Sequence, residues 1–279
     1  MRILLCNKFY YRRGGDCVYT LNLEALLRSH GHEVAVFAMD HPDTLDTPWR
    51  TYFPSEVNLD SAVSKVRFLG RSLGWGQTAG RFNALLEAFR PELVHLNNIH
   101  SQLSPVIAEI AHRRGCRVVW TLHDYKLLCP RYDCLRNGKT NCEACFVDKR
   151  KVLAHRCMKN SLPASVMAYA EALAWNRRRL EACTDAFICP SEFMAREMEK
   201  GGFSASKLHR LSNFIDVESC RQPAYDRRDD YYCYVGRLSG EKGVEALARV
   251  AAGLPHRLVM VGDGPLKGAL PQAPHIAYT

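Results

Sequence analysis

No stretch of this sequence approaches the roughly 18 consecutive apolar residues that a membrane-spanning helix needs. The start is not a secretory leader either: Met1-Arg-Ile-Leu-Leu-Cys-Asn7 turns polar at once and reads as a first strand. A secreted or integral membrane protein is disfavoured. There is no internal repeat and no low-complexity segment. The first strand is not followed by the G-x-G-x-x-G turn that a dinucleotide-dependent oxidoreductase requires. Basic residues form no concentrated stripe and no nucleic-acid-binding module is recognisable, so nucleic acid is not an expected partner.

The 279 residues, at about 150 per domain, suggest two domains. An apolar fraction of 47% is enough for a full core. The net charge of +9, from 38 basic and 29 acidic residues, is compatible with anionic lipid or phosphorylated small molecules as partners. Twelve cysteines in a long chain without a leader suggest free buried thiols, with a metal site where they cluster.

Short apolar runs alternate with helical patterns. Ile3–Cys6, Val34–Ala38, Leu93–Leu96, Val118–Leu122 and Ala186–Cys189 lack polar alternation, as strands do when helices cover both faces of their sheet. Asp16–His30 reads as a helix with Val18, Leu21 and Ala25 on its inner face and Gly31 ending it. The alternation means a parallel, doubly wound sheet. The polar, Pro-bearing segment from Asp216 to Asp230 reads as a linker. A fresh unit follows: strand Tyr231–Val235, helix from about Glu241, strand Arg257–Val261, a short helix near Leu266–Leu270, and strand-like His275–Thr279.

Ligands of open α/β sheets bind beyond the carboxyl ends of the strands. There, Gly14 and Gly15 allow close backbone approach at a helix N-terminus suited to phosphate. In the second unit Arg237 and Lys242 stand together at a helix start, a fork and a point charge able to grip a diphosphate. Gly262–Pro265 makes a second tight strand-to-helix loop, with Pro265 suited to a first helical position.

Five cysteines fall between Cys129 and Cys157, and Cys142-x2-Cys145 is half of a usual zinc site. Cys142, Cys145 and Cys157, completed by Cys129, Cys134 or His155, are the candidate structural zinc ligands, with free thiols or a disulfide as the other readings. Residues 62 to 75 suggest a basic amphipathic helix, with Ala62, Val66, Leu69 and Leu73 on one face and Arg67 and Arg71 on the other. Such a surface can rest on anionic lipid or pack on its own domain.

The succession of Gly14-Gly15, Gly31–Val34, Pro91–Asn98, Thr121–Tyr125, Pro190–Phe193, Asn213–Asp216, Gly236–Gly243 and Gly262–Pro265 resembles a retaining GT-B glycosyltransferase of family four along nearly the whole chain. The resemblance implies a nucleotide diphosphate sugar as co-substrate, held by Arg237 and Lys242 with the Gly14-Gly15 loop closing over it, Gly262 nearby and no catalytic metal. It implies a front-side mechanism in which the donor phosphate helps to deprotonate the acceptor. A cleft histidine that family members carry two residues after His95 is Asn97 here; His123, in the loop after the next strand, is the first choice for a catalytic histidine and His100 the second.

The resulting expectation is an α/β protein of GT-B type with two Rossmann-like, doubly wound parallel-sheet domains. Residues 1–220 form the acceptor-side domain, with a Cys-rich insertion at about 129–160. Residues 221–279 form a nucleotide-sugar-binding domain that is incomplete by about 90 residues, at roughly 30 residues per βαβ-sized unit, and whose exposed sheet edge is sticky. The expected function is transfer of a sugar to a glycan or lipid-linked acceptor, in the cytoplasm or on the cytoplasmic membrane face. A non-catalytic remnant that binds an acceptor or partner through the first domain is the alternative.

Overall fold

A computed structural model describes residues 1–57, 61–136, 138, 140–215, 217 and 230–279. Most of the expected linker at 216–230 lies outside the described residues. The chain divides into two compact units, Met1–Asp216 and Val217–Thr279.

In the first unit β1 (Arg2–Cys6), α1 (Gly15–Ser29) and β2 (Glu33–Phe37) are followed by α2 (Ala62–Ser72), α3 (Gln77–Phe89) and β3 (Leu93–Leu96). Then come α4 (Val106–Arg113) and β4 (Arg117–Thr121). The Cys-rich insertion forms a small antiparallel ribbon, β5 (Leu135–Arg136) and β6 (Thr140–Asn141), and two one-turn helices, α5 (Ala144–Val147) and α6 (Lys151–Ala154). The unit continues with α7 (Leu162–Ala174), α8 (Arg177–Ala182), β7 (Ala186–Cys189), α9 (Glu192–Lys200) and β8 (Leu208–Arg210), a strand the apolar-run pattern does not reveal.

Six of these strands make one parallel sheet in the order β2-β1-β3-β4-β7-β8, with Leu4 opposite both Ala35 and Val94. The apolar runs are strands for the expected reason: Leu4, Leu5, Cys6 and Val34 to Phe37 are buried, as is Trp120 of β4. The strand order reverses between β1 and β3, and this switch point is where an open sheet of this kind opens a crevice for ligands.

Two helices sit differently from their apolar pattern. In α1 the buried residues are Cys17, Tyr19, Thr20, Leu23 and Glu24, whereas Ala25 is exposed and Val18 and Leu21 are half-buried. The helix is turned because Glu24 is held from the inside. Tyr10 donates its hydroxyl to Glu24 Oε2 at 2.8 Å, and Arg28 donates to Oε1 through Nε at 3.0 Å and Nη2 at 2.8 Å. In α2 the expected faces are partly exchanged. Val66 is 72% exposed and Arg71 only 4%. Arg71 is drawn inward by the backbone carbonyl of Ser55, to which Nη1 donates at 2.5 Å.

The second unit contains β9 (Tyr231–Val235), a 3₁₀ turn at Gly240–Lys242, α10 (Val244–Ala252), β10 (Arg257–Val261), a 3₁₀ turn at Lys267–Ala269 and β11 (Ile276–Tyr278). The short helix expected at Leu266–Leu270 is thus a single 3₁₀ turn. The sheet is parallel, in the order β11-β10-β9, over a separate core of Leu238, Val244, Ala248, Leu258, Met260 and Ile276.

Two loops of this unit meet backbone to backbone. A Cβ added at Gly262 would lie 2.1 Å from the Gly236 carbonyl oxygen, and one at Gly264 would lie 2.3 Å from that of Leu238. The glycines of Gly262–Pro265 therefore have a structural reason to be there, whatever they bind.

Candidate functional site

At the switch point the loops after β1 and β3 are tied together. Lys8 donates its amide to Asn98 O at 2.8 Å, and Asn98 donates its own to Asn7 Oδ1 at 3.0 Å. Asn97 follows β3 directly and His123 follows β4 by two residues. His123 Nε2 lies 3.0 Å from Asn97 Oδ1. With that oxygen as acceptor, the imidazole carries its proton on Nε2 and leaves Nδ1 as a hydrogen-bond acceptor. The Tyr19 ring of α1 meets the imidazole edge-on, with centroids 5.1 Å apart. Burial lowers the His123 pKa to about 4, with Asp16 opposing, so the ring is neutral near pH 7.

The other histidines are placed differently. His95 of β3 reaches across to the neighbouring strand β4, its Nε2 2.7 Å from Thr121 Oγ1, and burial lowers its pKa to about 4. His100 stacks on Trp120 at 5.4 Å, and burial, with Lys126 and Lys8 adding to it, holds it well below the usual range. Trp120 in turn donates its indole N–H to Asn97 O at 3.0 Å. Asn97 thus touches both His123 and the ring under His100, and its own Nδ2 is buried with no partner among the described residues.

Charged groups that the sequence does not single out also stand around this point. Burial lowers the pKa of Lys8, while Asp16 and Asp124 oppose it. Burial raises that of Asp124, which accepts the Lys126 amide at 2.8 Å. Their signal in the sequence is position alone: Lys8 two residues after β1, Asp16 in the first turn of α1, and Asp124 beside His123. Gly14 caps α1 with extended backbone and no side-chain cap, and nothing stands within 4 Å of where a Gly15 Cβ would be. The first N–H groups of α1 are thereby left to the loop.

In the second unit Arg237 and Lys242 flank Glu241 just before α10, whose N-cap is Gly243 (φ 70°) with no side-chain cap. Arg237 Nη1 is 3.8 Å from Glu241 Oε1 with the Arg237 side chain 66% exposed, a geometry that leaves the guanidinium free to take a better anion.

The cysteine cluster does not assemble as expected. Among the described residues no group of three or more His, Cys, Asp or Glu side chains is placed to hold a metal ion. Cys142, Cys145, Cys157 and Cys129 form no such group among the described residues. Cys145 and Cys157 are buried with Val152 and Ala168. Cys134 donates its thiol hydrogen bond to Cys129, which lowers the Cys129 pKa to about 6. The Lys149 ammonium, donating to the carbonyls of Leu127 and Leu128, lies beside Cys145, Cys129 and Cys134 and opposes a second cation there.

The fold is that of the GT-B glycosyltransferases. The structure resembles the lipopolysaccharide outer core galactosyltransferase WaaB in its apo form, with a TM-score of 0.54, 15% identity, and coverage of 100% of this chain and 67% of that one. It resembles Anabaena Alr3699/HepE in complex with UDP-glucose with a TM-score of 0.58, 15% identity, and coverage of 100% and 68%. For the catalytic domain of Starch Synthase IV from Arabidopsis thaliana, bound to ADP and acarbose, the TM-score is 0.56, the identity 12% and the coverage 99% and 73%.

Residues 13–219 match Glycosyltransferase Family 4, and the chain belongs to that family. An uncharacterized 42.6 kDa protein in the cps region of Klebsiella pneumoniae is 25% identical over 269 residues. That match covers 90% of this chain, which spans 65% of the relative's length. Among the described residues no helix is long and apolar enough to cross a membrane.

Proposed function

We infer that the protein transfers a sugar from a nucleotide diphosphate donor to a glycan or lipid-linked acceptor with retention of configuration. The observation that carries this reading is the exposed pair Arg237 and Lys242 at the uncapped start of α10, in a chain of Glycosyltransferase Family 4. Arg237 forks onto one phosphate, Lys242 neutralises the other, and the α10 amides add their dipole. Gly262 shapes the neighbouring loop of the same unit, and Gly14-Gly15 leaves the first N–H groups of α1 open to a phosphate. Alr3699/HepE in complex with UDP-glucose makes a UDP-sugar the first donor to try.

His123 is assigned the sugar-facing role. Neutral at pH 7, it accepts a hydroxyl proton in a hydrogen bond at Nδ1 while Asn97 fixes the ring from Nε2. Attack by the acceptor oxygen at the anomeric carbon, on the face the diphosphate leaves, passes the acceptor proton to the departing phosphate oxygen. His100, the second candidate, stacks on Trp120, whose indole N–H is donated to Asn97 O. The Val63 and Val66 side chains of α2, 70% and 72% exposed, stand beside Lys65 and Arg67 and suit contact with an anionic membrane surface. The protein then works on the cytoplasmic face, with residues 1–220 on the acceptor side and 221–279 on the donor side.

Calorimetric titration with UDP-, GDP- and ADP-sugars tests the donor reading. Selective binding that falls at least tenfold in Arg237→Ala and Lys242→Ala is expected. Unchanged affinity in both variants would remove the diphosphate role from these residues.

A further inference from the structure

A cavity of about 540 Å³ lies wholly within the first unit. Its volume is within the range of small-ligand sites, roughly 300–1,000 Å³. It opens beyond the carboxyl edge of the sheet, where Ser55 pairs with Asp40 past the end of β2 and Gln102 belongs to the loop after β3. Arg71, Arg67 and Trp75 line it together with Ser55, Glu56 and Gln77.

Arg71 is the unusual group. Its side chain is buried, yet among the described residues no carboxylate forms an ion pair with it. Its donors meet neutral oxygens only: Nη1 reaches Ser55 O at 2.5 Å and Gln102 Oε1 at 3.4 Å, and with the Gln77 amide turned so that its oxygen faces Arg71, Nη2 reaches that oxygen at 3.0 Å. Arg67, one turn earlier on α2, adds a second positive charge close enough to work against the first. Glu56 also lines the cavity, but its Oε2 lies 4.0 Å from His41 Nε2, and among the described residues it forms no ion pair with Arg67 or Arg71. Two guanidinium groups converging on one cavity, the deeper one without a counter-charge, are an arrangement an oxyanion stabilises.

The rim is aromatic. Trp75 is 69% exposed, and the turn that presents it is fixed on both sides. Gly74 and Gly76 both have φ 95°, and a Cβ on Gly74 would press on Val106 at 3.0 Å. The Trp75 amide donates to Gly70 O at 2.8 Å, closing the end of α2. The indole is thus held out beside the cationic cavity, an apolar platform wide enough for one sugar ring.

We propose that this cavity is an acceptor subsite for an acidic glycan, whose sugar ring rests on Trp75 and whose carboxylate or phosphate is held by Arg71 and Arg67. The assignment of the ligand as acceptor rests on the transferase reading; the site itself does not.

The indole signals of the full chain in ¹H–¹⁵N spectra test it, with the Trp75 signal assigned by its loss in Trp75→Phe. The probes are methyl β-D-glucuronide, glucose 6-phosphate, methyl β-D-glucoside and inorganic phosphate. Saturable movement of the Trp75 signal by the glucuronide or the sugar phosphate is expected, and the tighter of the two names the anion. Affinity should be at least tenfold lower for the neutral glucoside, and at least tenfold lower in Arg67→Glu, an exposed position that leaves the Arg71 contacts in place. No movement with either acidic sugar, or equal affinity in Arg67→Glu, overturns the site. Equal affinity for inorganic phosphate and glucose 6-phosphate overturns the sugar assignment. A parallel UDP-glucose titration keeps the two readings apart: donor binding with a silent Trp75 sinks only the subsite, and the reverse sinks only the donor site.

Discussion

The His123 Nε2 to Asn97 Oδ1 contact of 3.0 Å joins the loops after β3 and β4, one strand beyond the switch point between β1 and β3. It sets the imidazole tautomer and keeps a neutral ring in a buried setting. Asn97→Asp retains the acceptor oxygen and adds a negative charge against the ring. The His123 pKa should rise from about 4 by at least one unit, read from its imidazole NMR titration. Nδ1 then stays protonated to higher pH, and transfer should fall on the acid side while donor affinity holds. An unmoved titration would mean that the two side chains are not in contact in solution.

His95 and His123 also tie stability to pH. Both have pKa values lowered to about 4, against an unfolded value of about 6.5. Between these values the unfolded chain binds more protons than the folded one, so stability rises with pH across that window and is lost as pH falls from about 6.5 to about 4. Each unit of separation is worth up to about 1.4 kcal/mol per histidine. Thermal melts at pH 7, 6, 5 and 4 should show a falling Tm. His95→Gln, which keeps a donor for Thr121, should shallow the slope. A variant with the wild-type slope would clear His95 of the effect.

Gly262→Ala tests the backbone contact in the second unit. The new Cβ would sit 2.1 Å from Gly236 O, at a residue whose φ of 141° already disfavours a side chain. Roughly 3 kcal/mol of destabilisation is expected, since strain and overpacking each cost about 1–3 kcal/mol. Hydrogen exchange should localise it to β9 and β10, with the protection of β1 to β4 retained. Wild-type protection in β9 would mean that the two loops part readily.

Much of this arrangement was readable from residue order. Runs such as Leu4-Leu5-Cys6 and Val34 to Phe37 announce strands covered on both faces, because parallel strands bury every side chain and leave no alternation to blur. Arg237, Lys242 and the glycines around them were legible for a similar reason: a strand, a glycine turn and a helix start lie within a few consecutive residues, and local geometry decides what they present. The inward turn of α1 and α2 was not legible. An apolar stripe predicts a buried face only while no polar residue finds partners inside. Glu24 finds Tyr10 and Arg28, and Arg71 finds Ser55 and Gln102.

By itself, then, the sequence determined the order of strands and helices, the alternation that makes the sheet parallel, and the basic turn that opens α10. All of these depend on neighbours in the chain. Tertiary structure alone decided that Asn97 meets His123, that Cys129, Cys134 and Cys145 stand beside Lys149, and that Arg71 turns into a cavity lined by Trp75. Each of these joins groups brought together only by the crossing of strands and the docking of loops, where burial and hydrogen-bond partners outweigh the pattern of polar and apolar residues along the chain.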